Sequence, residues 1–428
     1  MSTTLQPAAA LPSDSTRWVQ LGLGLVCMMA ISSPQYVWTL FVKPFGTVLG
    51  ADAAAIQTTF AILIVLQTFF SPFQGWLVER FGPRLLIAAG GALTGLSWVL
   101  ASQVTSLYGL YATYGLLGGL GTGIVYIGVV GQMVGWFPDR RGFATGVVAA
   151  GYGIGAVLTN FPISGSLAAE GYGPTLLKFG IGIGIVGVLA ALGLRAAPAA
   201  LAAPALLRSG PRDVDTGTML RNPIFWLMFA MMTMMSTSGL MVTAQIVPFA
   251  NDLGIGKLVI WGFAAIPLIL TVDRVCNGLT RPFFGWVSDR IGRENTMFVA
   301  FAFEGLAMAA WLFTMGNPVL FVLLSGVVFF GWGEIFSLFP STLTDTFGAT
   351  HATKNYGCLY IAQGIGAIFG GPLASILHDR AGSWTPVFSL AIGADLLTAL
   401  LALALLKPMR ARYLARSHAT VPAEDVFR

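Results

Sequence analysis

The sequence predicts an all-α membrane protein: twelve transmembrane helices in two pseudo-symmetric six-helix bundles. Three observations carry that prediction. Of 428 residues, 56% are hydrophobic and only 10% charged, against about 25% charged in soluble domains, and the mean hydropathy is +0.78. Twelve apolar runs are long enough to cross a bilayer, which takes about 20 residues each. A loop motif after the second run returns after the eighth, 210 residues later.

The expected spans are 18–42, 54–78, 85–104, 107–135, 143–167, 175–194, 223–249, 258–287, 296–315, 318–340, 355–377 and 385–406. None alternates with the two-residue period of a membrane β-barrel. The first run departs from a signal-peptide pattern, because Arg17 follows a polar lead and the apolar stretch is too long. The Ala- and Pro-rich segment 195–222 carries Arg195, Arg208, Arg212, Asp213, Asp215 and Arg221. It reads as a cytoplasmic linker between bundles 1–194 and 223–406, with 407–428 as a tail. The 53 glycines, about 12% of the chain, suit close packing of membrane helices. Gly115, Gly119 and Gly123 recur every four residues in span four and suggest such a contact.

Lysine and arginine placement sets the expected orientation. Seventeen of the 23 basic residues fall on one side if both termini are cytoplasmic. Lys43, Lys178, Lys257 and Arg380 fall on the other, and Arg274 and Arg281 lie within span eight. The net charge of +5 is thereby explained without an acidic partner. No basic run interleaves with aromatics, so nucleic acid is not an expected partner. Cys27, Cys276 and Cys358 form no CxxC pair, and no metal or nucleotide motif is present, so no cofactor is expected. His351, His378 and His418 lie outside or at the edge of spans, which argues against a histidine proton relay. Scarce charge also excludes a soluble multidomain enzyme and a disordered chain.

The repeated motif reads Pro72-Phe73-Gln74-Gly75-Trp76-Leu77-Val78-Glu79-Arg80-Phe81-Gly82 in one half. In the other it reads Pro282-Phe283-Phe284-Gly285-Trp286-Val287-Ser288-Asp289-Arg290-Ile291-Gly292. Gly153-Ile154-Gly155-Ala156 and Gly364-Ile365-Gly366-Ala367 form a second match at offset 211. Duplicated halves are a mark of transporters, with substrate held between them at midplane. Glu79 and Asp289, with Arg80 and Arg290, sit just beyond helix ends. Each acid can meet basic groups and a helix N-terminus of the other bundle when the cytoplasmic side closes, which is a latch.

This motif resembles that of the major facilitator superfamily, over essentially the whole chain. Finer stretches resemble the oxalate:formate antiporter family: Pro34-Gln35-Tyr36-Val37-Trp38-Thr39-Leu40, Trp136-Phe137-Pro138-Asp139-Arg140-Arg141-Gly142, Ala149-Ala150-Gly151-Tyr152-Gly153, Asn277 with Arg281-Pro282-Phe283, and Asn355-Tyr356-Gly357. Monocarboxylate transporters are broader relatives. The resemblance implies the major-facilitator fold and a small carboxylate substrate moved by alternating access across the cell membrane.

Ionisable residues inside spans are expensive, so each is a functional candidate. They are Asp273, Arg274, Arg281, Glu304, Glu334 and Asp395, all in the second half. Arg281 is the leading carboxylate ligand, through bidentate charge-assisted bonds. Asn277 lies one turn before it on the same face, and Ser71 holds the equivalent repeat position. Arg274 shares that stripe about 10 Å away, and either adds a second cation or pairs with Asp273. Glu334 is a possible partner of one arginine, whereas Glu304 and Asp395 read as local packing residues.

Gln35, Tyr36, Tyr126, Tyr152, Trp332 and Tyr360 could wall the cavity. The resemblance also implies a lysine in span eleven of oxalate carriers, and here that position is Gln363. The acid expected one turn before the arginine in monocarboxylate carriers is here Asn277. The expectation is a monomeric anion antiporter of oxalate and formate type. The alternative is a proton-coupled or uniport monocarboxylate carrier.

Overall fold

In a computed structural model the described residues are 14–198 and 213–419. Half of the expected linker, residues 199–212 with Arg208 and Arg212, therefore lies outside them, as does the end of the tail. Backbone groups in lipid must be satisfied internally, so the apolar runs become helices. Among the described residues nine helices are long and apolar enough to cross a membrane, and two bent pairs bring the number to eleven. The twelfth, Ala265–Ile291, is 27 residues long. Its apolar stretch carries Asp273, Arg274 and Arg281, which sets it apart on composition. Large apolar side chains point outward, as at Phe313 (87% exposed) and Leu189 (64%), the surface a bilayer would cover.

Three spans are interrupted, and the breaks frame the interior. The first runs as Asp14–Ala30, Ser33–Tyr36 and Trp38–Leu49, bending by 44° between Tyr36 and Trp38. The second breaks at Phe70 by 53° between Ala53–Phe69 and Ser71–Phe81. Pro34 and Pro72 lack the N–H that would continue each ladder. The tenth passes from Pro318–Trp332 to Ile335–Phe347 through Gly333 and Glu334. Gln35, Tyr36, Ser71, Trp332 and Glu334 thus all stand at or beside breaks.

Two expected boundaries move. Span eight starts at Ala265 rather than 258, because Val259–Ile260 and Phe263–Ala264 form a small antiparallel hairpin. Its two turn residues, Trp261 (φ 52°) and Gly262 (φ 83°), both take the left-handed conformation of a primed hairpin turn. At the other end, helix Lys407–Ala419 continues the last span into what the sequence suggested was tail.

Within that helix Arg410 is buried, bonded to Glu294 and, at 2.6 Å, to the Thr346 hydroxyl. Arg410→Ala would strand the Glu294 carboxylate, and such losses cost about 3–5 kcal/mol when fully buried. Since Glu294 keeps some exposure, a stability loss of about 2 kcal/mol is expected from unfolding in detergent. An unchanged unfolding midpoint would count against this.

The span-four glycines meet span two: a Cβ at Gly119 would lie 2.6 Å from the Leu63 carbonyl, and one at Gly123 would lie 2.4 Å from Gln74. They serve helix packing inside the first half. The two halves meet along two seams, one between the fifth span (Arg141–Glu170) and the eighth, the other between the second and the eleventh (Ala352–Ala381). These pairs exchange under the 210-residue repeat.

Candidate functional site

Both seams are tightest on the face that carries both described chain ends. There a Cβ on Gly285 would stand 2.1 Å from the Gly142 carbonyl oxygen, and one on Gly146 would stand 2.3 Å from that of Arg281. Only glycine lets these backbones touch. Along the second seam the Ser71 hydroxyl donates to the Gly357 carbonyl at 2.6 Å.

The motif acids close the same face. Asp289 accepts from the backbone N–H of Gly142 (3.0 Å) and Phe143 (2.9 Å), at the start of the fifth span. Glu79 accepts from the N–H of Lys354 (2.9 Å), at the start of the eleventh, and lies 3.7 Å from His351. Each acid thus meets orphan donors and the positive end of a helix in the opposite half. The acids stand 210 residues apart and their receiving helix turns 211.

The adjacent arginines do not join them. Arg80 lies over the Trp76 ring at 5.4 Å and Arg290 over Trp286 at 3.9 Å, because neighbouring ring faces offer a cation–π site with no turn of the chain. The acids therefore reach the opposite half without these two arginines. Arg293 instead bonds Asp289 (2.6 Å) and Asp345 (2.7 Å), and Arg141 of the first half reaches Asp345 at 2.5 Å. Sequence reasoning missed this three-residue extension of the latch. The available signal was Arg141 within the quoted Trp136–Gly142 stretch and Arg293 just past the loop motif.

Toward the middle of the molecule, Arg281 is 1% exposed. It donates to the Ala149 carbonyl of the first half (2.5 Å) and to Asn277 Oδ1 (2.8 Å). Its guanidinium lies over the Phe336 ring at 4.5 Å. Glu334 is not its ion-pair partner: it stands in the break of span ten, with both carboxylate oxygens unbonded. Glu304 and Asp395 are likewise fully buried, and their carboxylate oxygens make no hydrogen bond. Two donors near the arginine remain unused, Arg281 Nε and Asn277 Nδ2. Buried donors are almost always bonded, so both are candidates for an acceptor that the protein itself does not supply.

Rings surround it. Phe336 packs edge-on to Tyr126 at 6.5 Å, Tyr126 stacks on Tyr360 at 4.7 Å and meets Tyr152 at 5.3 Å, and Tyr152 meets Tyr36 at 5.4 Å. The Tyr152 hydroxyl donates to Gln35 and accepts from Gln67 at 2.9 Å. Trp332 packs edge-on to Phe336 at 6.2 Å while its indole N–H donates to the Met235 carbonyl. It therefore forms the rim and has no free donor. Gln363 lies one turn beyond Tyr360 on the same face, with Oε1 unbonded. Phe336 and Gln67 were not legible in sequence, since an apolar ring and a lone amide inside a span look like packing. Tyr36, Gln35 and Arg274 keep partial exposure, whereas Arg281, Tyr126, Tyr152 and Tyr360 are buried. Among the described residues, no group of three or more His, Cys, Asp or Glu side chains is placed to hold a metal ion.

Comparison with known proteins gives a consistent answer. The Major Facilitator Superfamily profile matches residues 21–272 and again 230–422. The chain is 36% identical over 375 residues to the oxalate:formate antiporter of Oxalobacter formigenes, covering 87% of each chain. It is 25% identical over 371 residues to monocarboxylate transporter 13 of Rattus norvegicus, covering 84% of this chain and 81% of that one. In fold it is similar to the proton:xylose symporter XylE, with a TM-score of 0.70, 14% identity, and coverage of 92% and 97% of the two chains.

Proposed function

This chain belongs to the major facilitator superfamily and is a multi-pass secondary transporter rather than an enzyme, and from that premise we propose that it exchanges small carboxylates, oxalate and formate foremost. The observation that carries the substrate class is Arg281: a buried cation between the halves with no carboxylate partner, beside two unused donors. A carboxylate fills the Arg281 Nε and Asn277 Nδ2 positions with charge-assisted bonds. Gln35 and Gln363 orient it, and Tyr36, Tyr126, Tyr152, Trp332 and Tyr360 exclude water around it.

The proposal includes alternating access between halves 1–194 and 223–406, joined by linker 195–222, in a monomer with both termini in the cytoplasm of a cell whose plasma or inner membrane it spans. The basic-residue bias supports that orientation. Glu79 and Asp289 then hold the cytoplasmic side shut. The similarity to monocarboxylate transporter 13 favours a second reading, net monocarboxylate transport with or without a proton.

Purified protein in liposomes separates the two. Exchange predicts that radiolabelled oxalate enters only vesicles preloaded with oxalate or formate, with no pH gradient imposed. Uptake that needs a pH gradient and ignores internal anion would overturn exchange and leave the second reading.

A further inference from the structure

Arg274 and Asp273 part company in the structure. Asp273 is buried on the side of span ten, close to Ser325. The Arg274 guanidinium turns the other way and lies over the Tyr36 ring of the first half at 4.7 Å. Among the described residues no ion pair within hydrogen-bonding distance joins the two. Tyr36 in turn meets Tyr152, Tyr152 meets Tyr126, and Tyr126 meets Phe336, the ring under Arg281. Arg274 and Arg281 are thus the two ends of one aromatic wall, on one helical stripe, and both reach across to the first half.

Their spacing has a chemical meaning. Seven residues of helix rise about 10.5 Å. One carboxylate on Arg281 Nε and one in the fork of Arg274, joined through one C–C bond, also separate the guanidinium carbons by about 10 Å. Burial runs in the same direction: Arg274 and Tyr36 are partly exposed on the side away from the closed face, and Arg281 is sealed below them.

We propose that Arg274 is a second anion-binding residue, held by Tyr36, that together with Arg281 clamps the two ends of a short dicarboxylate. This rests on the carboxylate reading of the Arg281 site and adds selectivity: a dianion engages both arginines, a monoanion only Arg281. The same stripe that links the ends fixes the length, so oxalate is favoured over longer dicarboxylates such as succinate.

The test is direct binding to the purified full-length protein in detergent, by calorimetry, with oxalate, formate and succinate. Arg274→Gln is expected to raise the oxalate Kd at least 10-fold while formate weakens less than about threefold, and Arg274→Lys should recover part of the oxalate affinity. A purely structural role would weaken both anions equally and would be overturning, as would unchanged oxalate affinity in Arg274→Gln. If the unsubstituted protein binds no carboxylate, the carboxylate reading itself fails and this inference with it. If it binds oxalate through Arg281 and Arg274→Gln changes nothing, this inference fails alone.

Discussion

Replacing Arg281 with glutamine is expected to lower oxalate exchange in liposomes at least about 100-fold while the protein still folds. The magnitude follows from the bonds lost. A hydrogen bond to a charged group contributes about 1.5–3 kcal/mol, and two such bonds amount to roughly two or more decades of binding. The fold should survive because Arg281 has no buried carboxylate to strand. Its protein partners are the Ala149 carbonyl and Asn277 Oδ1, and a glutamine amide can still meet one of them. Arg281→Lys keeps the charge without the planar fork and should fall between. The readouts are initial exchange rate and unfolding midpoint. Wild-type rates in Arg281→Gln would remove the central claim about the site.

The second large effect concerns the closed face. Asp289→Asn retains the shape but loses the charge that receives two backbone N–H groups and Arg293. Thr145 reports the state of this seam, because it is buried and bonded across the halves to Ser341 at 3.2 Å. In a background free of the three native cysteines, Thr145→Cys should be alkylated by a water-soluble maleimide at least about 10-fold faster once Asp289→Asn is added. That corresponds to about 1.4 kcal/mol of lost closure. Glu79→Gln should do less, since Glu79 receives one backbone N–H and a more distant histidine. Equal labelling rates in all three backgrounds would mean that the acids do not control closure.

Much of this architecture was legible before any coordinates. Hydropathy marked the spans because lipid leaves the backbone no other choice, and the duplicated loop marked the halves because two matches share one offset. Arg281 and Asn277 were legible because a cation inside a span is costly and an amide four residues away must share its face. What stayed hidden depends on rotamers and long-range neighbours. Arg293 and Arg141 converge on Asp345 from 52 and 204 residues away. Arg80 and Arg290 chose ring faces over carboxylates, a preference between two neighbours that the sequence places equally close. The hairpin at Val259–Ile260 and Phe263–Ala264 hid inside an apolar run, because composition alone does not tell two strand residues from the start of a helix.

The solitude of Arg281 has an electrical consequence. Between the halves the guanidinium is sealed from solvent and bonded to amide oxygens, with no carboxylate in hydrogen-bonding contact among the described residues. A second guanidinium about 10 Å away adds a repulsion of about 1.7 kcal/mol at an effective dielectric constant near 20. At the proposed two-arginine site an oxalate dianion would match both guanidinium charges and formate only one. Cargo thus supplies the missing counter-charge at the moment the protein turns over in the membrane. On that proposal, trading one anion for another is favoured over returning empty, and a swap of oxalate for formate moves net charge and so responds to the membrane voltage.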